Sequence, residues 1–450
     1  MASSLSRRRF LEKSALAAGA VAGAGALLNP SSFSRAEATS DRATTTLNVM
    51  YTAAELTAKD IKTFEQQHPG VKINLITYDP IRLSTMFSSG NPPDFIRSAG
   101  APDILNQVSR GLALDLTSYF AKSKVLNPSG LMPINNVYRW NGKTQGQGPR
   151  YGAVKDWSQD GTLWYNEALF KKAGVKPLSG TAPVSYDELL AMGKKLTVRA
   201  GNRFLVYGLD IGWGAFMQGK LIQMLAQEGK SLWNSDYSQV DFTTPEARKA
   251  FKWYVDWAQA RVGPSPIDPY SGTSEPFFAG RKAIVQWGYW YHGDIVANAP
   301  KLLSQVAFAP APLWGSKRVS ACFAGTGAWI PQRTAHKDLA WTFMEYFMGG
   351  MPAYERASGG WGLPAVEKYH ADVPDTTSFD KRTNAVQANE SKYLTILHYS
   401  PYIGSDAMEA AIIKYIEPVM HGKASLDSGI RDLQNAVNQL LARGKSEANA

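Results

Sequence analysis

The chain has 450 residues, of which 44% are hydrophobic and 19% are charged, a balance typical of a globular protein with a sizeable core. The formal net charge is +10, but the basic residues are scattered and form no Lys/Arg cluster, which argues against nucleic acid as a partner. The single cysteine, Cys322, excludes an internal disulfide, and its small apolar neighbours predict a buried, inert thiol.

The N-terminus carries the features of an export signal. Arg7 and Arg8 form a twin-arginine pair, and residues 15–28 are an apolar run of small residues. Residues 36–38 read Ala-Glu-Ala, a small-x-small cleavage site. The apolar run is shorter than the roughly 20 residues that a helix needs to cross a membrane.

These features predict a twin-arginine signal peptide over residues 1–38, removed near Ala38, and a linker over residues 39–46. An N-terminal membrane anchor or a disordered basic tail is the alternative interpretation. The expected mature protein is soluble and acts in the periplasm or outside the cell. It is longer than one ordinary domain of about 100–200 residues, so we expect two lobes.

The first elements of the mature chain predict a β-α-β unit. Residues 47–51 and 71–76 alternate between apolar and polar side chains, as strands do. Between them, a helix over residues 57–68 begins with Thr and Asp at capping-box spacing. Residues 94–97 add a third short strand, so we expect an α/β fold with a parallel sheet.

Later segments continue the alternation of helices and turns. Asn141 and Gly142 form a hairpin-turn dipeptide, and residues 185–196 form a helix that opens with a Ser-Glu capping box. Pro245 stands at the first position of another helix. The last helix has apolar residues at helical spacing and is expected to end at Gly444.

Two segments are candidates for crossings between the lobes. They are residues 151–155 and residues 306–313, and the second segment is extended and rich in proline. We expect both to serve as hinge strands.

The tryptophans suggest a binding cleft. The chain has 13 of them, and Trp213, Trp290 and Trp361 stand within glycine-rich segments. Loops of this kind give a ring little local reason to belong to a core, although core packing remains the alternative for each residue. Together they favour a cleft lined with aromatic rings.

The sequence gives little support to catalysis. It has no Gly-x-Ser-x-Gly motif, and its six histidines show no metal-ligand spacing. The glycine run at residues 359–362 lacks the Lys-Ser/Thr of a phosphate-binding loop. The acid and base of a glycosidase can lie far apart in a chain, so an exported glycan-active enzyme stays open. We expect no cofactor and no metal.

Several blocks, in a constant order, resemble the family 1 extracellular solute-binding proteins of ABC importers, the class that contains maltose-binding protein. The block at residues 163–174, with its Tyr-Asn and Leu-Phe pairs before Ala-Gly, is the closest match. The similarity extends over roughly residues 47–440, and its other blocks are residues 93–96, 111–117, 278–290 and 338–343.

The resemblance implies a type II periplasmic-binding-protein fold, with two hinge-linked α/β lobes and a ligand cleft between them. The implied N-lobe comprises residues 47–154 and 312–358, and the implied C-lobe comprises residues 155–311 and 359–445. The family often has Tyr-Gly-x-Pro at the first crossing, whereas Val154 stands here in place of the proline.

The resemblance also points to aromatic ligand contacts. Trp290 matches the position where maltose-binding relatives stack a sugar ring, and Trp213 matches an aromatic residue on a loop of the second lobe. Trp157, which follows the first crossing, Trp361, and Tyr51 at the end of the first strand are further candidates. A flat ring can bury the C–H face of a pyranose at a low entropic cost.

Buried sugar hydroxyls need polar partners, because an unpaired polar group is costly when it is buried. Asp156, Asp160, Asp210 and Arg97 lie near the expected cleft strands and are candidates for that role. Asp94, in the Pro-Asp block, is a further candidate, although we expect it to cap the loop after Pro93.

These features favour a substrate-binding component of an ABC transporter. It would capture a carbohydrate, either a mono- or oligosaccharide or a polyol, and deliver it to the transmembrane permease. One alternative keeps the fold and binds a polyamine or another organic cation through aromatic faces and carboxylates. The other alternative is the exported glycan-active enzyme. We expect a monomer with no enzymatic activity.

Overall fold

The computed structural model describes residues 44–212, 217–269, 274–323 and 325–449. The predicted signal peptide and most of the linker lie outside these residues. The strands, in chain order, are β1 (Thr45–Tyr51), β2 (Val71–Thr77), β3 (Phe95–Ser98), β4 (Arg139–Trp140), β5 (Gln145–Arg150), β6 (Gly152–Trp157), β7 (Leu163–Asn166), β8 (Val198–Ala200), β9 (Arg203–Val206), β10 (Ile284–Gln286), β11 (Val306–Ala309), β12 (Ser320–Ala321), β13 (Thr326–Trp329), β14 (Leu363–Pro364) and β15 (Leu394–Thr395).

The α-helices pack around these strands, and short 3-10 turns link some of them. In chain order the helices are α1 (Ala58–Gln67), α2 (Pro80–Ser88), α3 (Ala101–Ser109), α4 (Thr117–Lys122), α5 (Glu167–Lys172), α6 (Tyr186–Leu196), α7 (Met217–Gln227), α8 (Pro245–Gln259), α9 (Glu275–Phe278), α10 (Tyr291–Asn298), α11 (Lys337–Gly349), α12 (Met351–Ser358), α13 (Ser378–Ser391), α14 (Ser405–Met420) and α15 (Leu426–Ala448).

The predicted helix starts are confirmed at three places. The Thr57 side chain and Asp60 form a capping box at the start of α1, and Ser185 and Glu188 form another at α6. At α8 the Thr244 side chain accepts a hydrogen bond from the Ala247 amide, with proline at the first helical position. Each cap satisfies amide donors that the helix itself leaves unpaired.

The larger sheet has the order β14-β6-β13-β3-β1-β2 among the described residues. Strand β1 runs parallel to β2 and β3, as the β-α-β prediction requires, whereas β13 runs antiparallel to β3 and β6. The carboxyl ends of β1, β3 and β6 therefore meet at one edge of the sheet. Strand β14, which the sequence analysis assigned to the second lobe, pairs with β6 at the end of this sheet.

The two faces of the larger sheet belong to different hydrophobic clusters. Val49 and Phe95 face one cluster, and their neighbours Met50 and Ile96 face the other, as the strand period of two demands. On the first face, Phe95 meets Phe343 of α11 edge-on, with ring centroids 5.0 Å apart. This packing fixes the strand ends that carry the site.

The smaller sheet has the order β10-β7-β11, and both of its pairings are antiparallel. The chain leaves the larger sheet after Trp157 and enters the smaller one at Leu163, so residues 151–155 lie mostly within β6 of the larger sheet. It returns to the larger sheet at Thr326, after β11 and the segment that follows it.

Three further predictions can be compared with the structure. The Asn141-Gly142 hairpin is confirmed, because β4 and β5 pair antiparallel across it. Helix α15 does not end at Gly444 but continues to Ala448. A Cβ at Gly444 would lie 1.9 Å from the Tyr402 carbonyl oxygen, so this glycine permits a close approach rather than ending the helix. Cys322 is half-buried rather than buried.

None of the helices in the described part of the chain combines the length and the apolar character that crossing a membrane requires.

Candidate functional site

A cavity of 590 Å³ opens at the edge where β1, β3 and β6 end. This is where ligands bind in open α/β sheets, beyond the carboxyl ends of the strands. Its volume lies within the ordinary range for small-molecule sites, about 300–1,000 Å³. We call it the main cavity; its lining includes Glu55, Arg97, Lys155, Asp156, Trp157, Ser158, Asp160, Trp290, Thr326, Glu355, Arg356 and Trp361.

Two bidentate ion pairs form part of the wall. Arg97 donates from Nε and Nη2 to the two carboxylate oxygens of Glu55, at 2.7 and 2.8 Å. Arg356 donates in the same way to Asp156, with both distances 3.0 Å. Burial raises the pKa of Glu55, but the hydrogen bonds and charge of Arg97, together with the charges of Arg356 and Lys155, outweigh it and the net shift is downward. The cavity therefore presents charged groups whose positions are fixed by planar, paired geometry.

Asp156 joins the cavity to the strand beside it. Its Oδ1 also accepts a hydrogen bond from the Thr326 hydroxyl, at 2.9 Å. The Arg356 guanidinium, besides pairing with Asp156, donates to the Trp361 carbonyl oxygen at 3.2 Å and lies 5.4 Å from the centroid of the Trp361 ring. One arginine thus links the Asp156 carboxylate of β6 to the loop that carries Trp361.

Lys155 is a buried cation on the cavity wall. Its Nζ donates to the Glu55 carbonyl oxygen at 3.2 Å and lies 3.7 Å from the centroid of the Phe347 ring. No carboxylate of the described residues lies within 4.0 Å of this amine. Burial lowers the pKa of Lys155 to about 7, against the opposing effect of Asp156.

Three tryptophans from different parts of the chain reach the main cavity. Trp290, at the start of α10, is half-buried and packs against the Trp287 ring at 5.3 Å. Trp361 lies in the loop after α12. Trp157 is 4% exposed, and no described residue pairs with its indole Nε1.

The Trp361 loop depends on glycine. Gly362 has a φ of 133°, and a Cβ there would lie 3.2 Å from Asp156 Oδ1. The Gly360 carbonyl accepts a hydrogen bond from the Gly293 amide of α10, at 3.0 Å. These contacts hold the Trp361 loop against α10 and β6 at the cavity.

Asp160 lines the cavity beyond the end of β6. It accepts hydrogen bonds from the Ser158 hydroxyl at 2.9 Å and from the Phe323 amide at 2.8 Å. Its carboxylate ties the segment between the two sheets to the segment that returns to the larger sheet.

The structure brings six of the ten predicted site residues to the main cavity. These are Arg97, Asp156, Trp157, Asp160, Trp290 and Trp361. Trp213 lies outside the described residues.

The other three predicted residues do not line the main cavity. Tyr51 is fully buried, and its hydroxyl donates to the Gly327 carbonyl oxygen at 3.1 Å. Asp94 accepts hydrogen bonds from the Asn48 amide and the Thr334 hydroxyl. Asp210 pairs with the buried Lys282 and accepts from the Gly212 amide.

Sequence reasoning did not find Glu55, Lys155 and Arg356. Glu55 follows the predicted first strand, and Lys155 lies within the predicted first crossing. Because both segments end at the cleft, their positions are a usable but weak signal. Arg356 lies 200 positions from its partner Asp156, and nothing local in the sequence distinguishes it from a surface arginine.

The arrangement can hold a polar ligand. Aromatic faces offer apolar contact, while the paired carboxylates and guanidinium groups offer acceptors and donors in fixed positions. Within the described ranges, no group of three or more His, Cys, Asp or Glu side chains is arranged to hold a metal ion.

A family model described as bacterial extracellular solute-binding protein matches residues 44–349. Because the match covers more than half of the chain, the protein belongs to the bacterial extracellular solute-binding protein family, and the predicted membership is confirmed. The family consists of binding proteins that act outside the cytoplasm, which agrees with the expected location.

Individual relatives are distant. An ABC transporter extracellular-binding protein of Pyrococcus horikoshii is 24% identical over 348 residues, which cover 72% of this chain and 74% of the relative. An arabinooligosaccharide-binding protein of Halalkalibacterium halodurans is 24% identical over 258 residues, 56% of this chain and 53% of its own length.

Among solved structures, an ABC substrate-binding protein of Listeria monocytogenes in complex with cycloalternan superimposes with a TM-score of 0.73 at 23% identity. The match covers 89% of this chain and 99% of that structure. This likeness confirms the predicted two-lobe α/β fold.

Proposed function

We propose that this protein captures a carbohydrate in the main cavity and delivers it to the membrane permease of an ABC importer. The observation that carries the proposal is the meeting of Trp290 and Trp361 with the paired Asp156 and Arg356 in one cavity. Indole faces suit the C–H face of a sugar ring, and the fixed polar groups suit its hydroxyls.

The relatives support this choice of ligand. The Halalkalibacterium relative is an arabinooligosaccharide-binding protein, and the Listeria structure contains cycloalternan. The chain shares their family and fold, and its main cavity has aromatic and polar walls of the kind that a sugar needs.

We assign ligand contact to the six predicted residues that line the main cavity, and add Glu55, Lys155 and Arg356. Trp213, Tyr51, Asp94 and Asp210 stay proposals without a contact in the described structure. The lobe boundaries expected from the sequence also stay proposals; the passage from β6 to β7 and the return to β13 support two lobes.

The proposal also covers the export of the protein and its recognition by the permease. A twin-arginine signal peptide over residues 1–38 directs export, and cleavage near Ala38 releases a monomer without enzymatic activity. Closure of the lobes around the ligand marks the loaded state for the permease, since only a closed cleft lets both lobes contact the ligand at once.

A thermal-shift screen of the mature, ligand-stripped protein tests the function. The panel contains sugars, polyols, polyamines and amino acids. A ligand present at a hundred times its Kd stabilises the fold by about 2.7 kcal/mol. A shift with a carbohydrate supports the proposal. A shift with amines alone favours an organic cation, and release of sugar products from a glycan favours an enzyme; either result contradicts it.

A further inference from the structure

A second cavity, of 390 Å³, adjoins the main cavity at Arg97, whose side chain lines both. We call it the side chamber. Tyr78 and Asp103 line it from the side of the larger sheet, and Gln218 of α7 and Glu409 of α14 line it from the opposite side. The two cavities therefore share one wall residue.

The side chamber contains buried polar atoms that the described residues leave unsatisfied. Gln218 is 1% exposed, and neither its Oε1 nor its Nε2 has a hydrogen-bond partner in the described part of the chain. The same holds for the hydroxyl of Tyr399, which is also 1% exposed, and for Oε2 of Glu409. Native proteins rarely leave such groups unpaired, so these atoms point to a polar ligand.

The charge of the side chamber is negative. Asp103, Asp406 and Glu409 line it, and Arg97 is the one basic residue among its described lining. The Arg97 guanidinium already donates to both oxygens of Glu55. The Lys220 amine, on the neighbouring helix α7, is directed to the carbonyl oxygens of Ile211 and Gly212.

Two of these carboxyl groups have raised pKa values. Burial raises the pKa of Glu409 to about 7, although hydrogen bonds from backbone amides and the charge of Lys220 oppose it. Partial burial, followed by the charge of Asp103, raises the pKa of Asp406. A cation placed among these groups would gain from all three carboxylates.

We infer that the side chamber is a subsite for a protonated amine, and that the ligand therefore carries one, as a carbohydrate with a terminal amino sugar does. The inference rests on the carbohydrate function proposed above and narrows its substrate class. An ammonium group offers its donors to Glu409 Oε2 and Gln218 Oε1 and balances the negative charge. A sugar hydroxyl meets only the hydrogen-bonding need and leaves the negative charge unbalanced. An anionic unit such as a uronate is repelled.

Calorimetric titration with three disaccharides of one skeleton tests the inference. They are the β-1,4-linked disaccharide of glucosamine, its N-acetylated form, and cellobiose, which carry an amine, an acetamide and a hydroxyl at the same position. The amine form is expected to bind about tenfold more tightly than the other two, as a charge-assisted hydrogen bond allows. Glu409→Gln should reduce that preference to less than about threefold.

Asp406→Asn, at an exposed position of α14, repeats the test without a buried substitution and should also weaken the preference. Asp432→Asn, exposed on α15, makes the same charge change away from the side chamber and should leave the preference intact. Equal or tighter binding of the acetamide or hydroxyl form overturns the inference, as does an unchanged preference in both chamber variants.

The outcomes also separate the inference from the function beneath it. If none of the three disaccharides binds while a neutral sugar from the wider panel does, the amine subsite is wrong and the carbohydrate function stands. If no carbohydrate binds, the function itself fails, and the subsite fails with it.

Discussion

At the scale of single residues, the main cavity combines two kinds of contact that a sugar requires. Trp290 and Trp361 supply flat apolar faces from two separate segments of the chain. Arg356 holds Asp156 in a bidentate pair and also holds the Trp361 carbonyl, so the apolar and polar contacts are positioned together.

Trp290→Ala is expected to weaken carbohydrate binding about 10- to 100-fold, because it removes a ring face worth roughly 1.5–3 kcal/mol when buried by ligand. Calorimetry with the sugar identified in the screen measures the change. Trp314→Ala is the matched control: this half-buried ring lies outside the main cavity, under the Lys249 amine. Equal effects of the two variants would count against the assignment of Trp290.

Arg356→Met should lower the free energy of unfolding by about 3 kcal/mol, since it leaves the buried Asp156 carboxylate without its partner. Urea denaturation measures the loss. The double variant Asp156→Asn with Arg356→Met should recover much of it, because the uncompensated charge is gone. If the losses of stability in Asp156→Asn and in Arg356→Met, each measured alone, add up to the loss in the double variant, the residues do not act as a pair.

The individual residues also differ in whether their place in the site can be predicted from the sequence. Trp290 and Trp361 could be found because glycine neighbours and the family blocks single them out. Glu55, Lys155 and Arg356 could not, because what makes them part of the site is a partner brought close by folding. The Asp156–Arg356 pair joins positions 200 apart, and no local pattern encodes that contact.

At the scale of secondary-structure elements, capping chemistry is readable from the sequence because it is local. The boxes at α1 and α6 involve residues three positions apart, and both are confirmed. The predicted end of α15 was wrong, because Gly444 permits a close contact with Tyr402, which is distant in sequence, and does not end the helix.

Gly444→Ala tests that explanation. Helix propensity alone favours alanine by up to about 1 kcal/mol, but the clash with the Tyr402 carbonyl should produce a net loss of about 2 kcal/mol. Thermal or urea unfolding distinguishes the two signs. Gly130→Ala, where a Cβ would meet nothing within 4 Å, should change stability little. A stabilising Gly444→Ala would mean that α15 and the Tyr402 segment are not in close contact.

At the scale of the whole molecule, the two sheets give the cavity its position. The alternation of strands and helices was enough to predict an α/β fold, and the family blocks were enough to predict two lobes. The chain positions of the crossings were harder to predict, because β6 continues through residues 151–155 as an ordinary buried strand.

Lys155 makes the stability of the whole fold depend on pH. Burial lowers its pKa from 10.5 in the unfolded chain to about 7, so the folded state holds fewer protons than the unfolded state between these values. This lysine alone should therefore raise stability by about 2 kcal/mol between pH 7 and 9.

Lys155→Met should lower the rise in urea-unfolding profiles by about 2 kcal/mol and leave the part that comes from Lys220, because burial lowers the pKa of that lysine to about 8. The exposed Lys124→Met should preserve the whole rise. A profile that stays unchanged in Lys155→Met would contradict the assignment of the rise to this buried amine.

The central claim is that a carbohydrate is held in the main cavity. The most direct measurement is a crystal structure of the mature protein with the carbohydrate identified in the screen. We expect the sugar beyond the ends of β1, β3 and β6, with Trp290 or Trp361 against a ring face and its hydroxyls bonded to the Asp156–Arg356 pair. A sugar bound elsewhere on the molecule, with the main cavity left to solvent, would contradict the account.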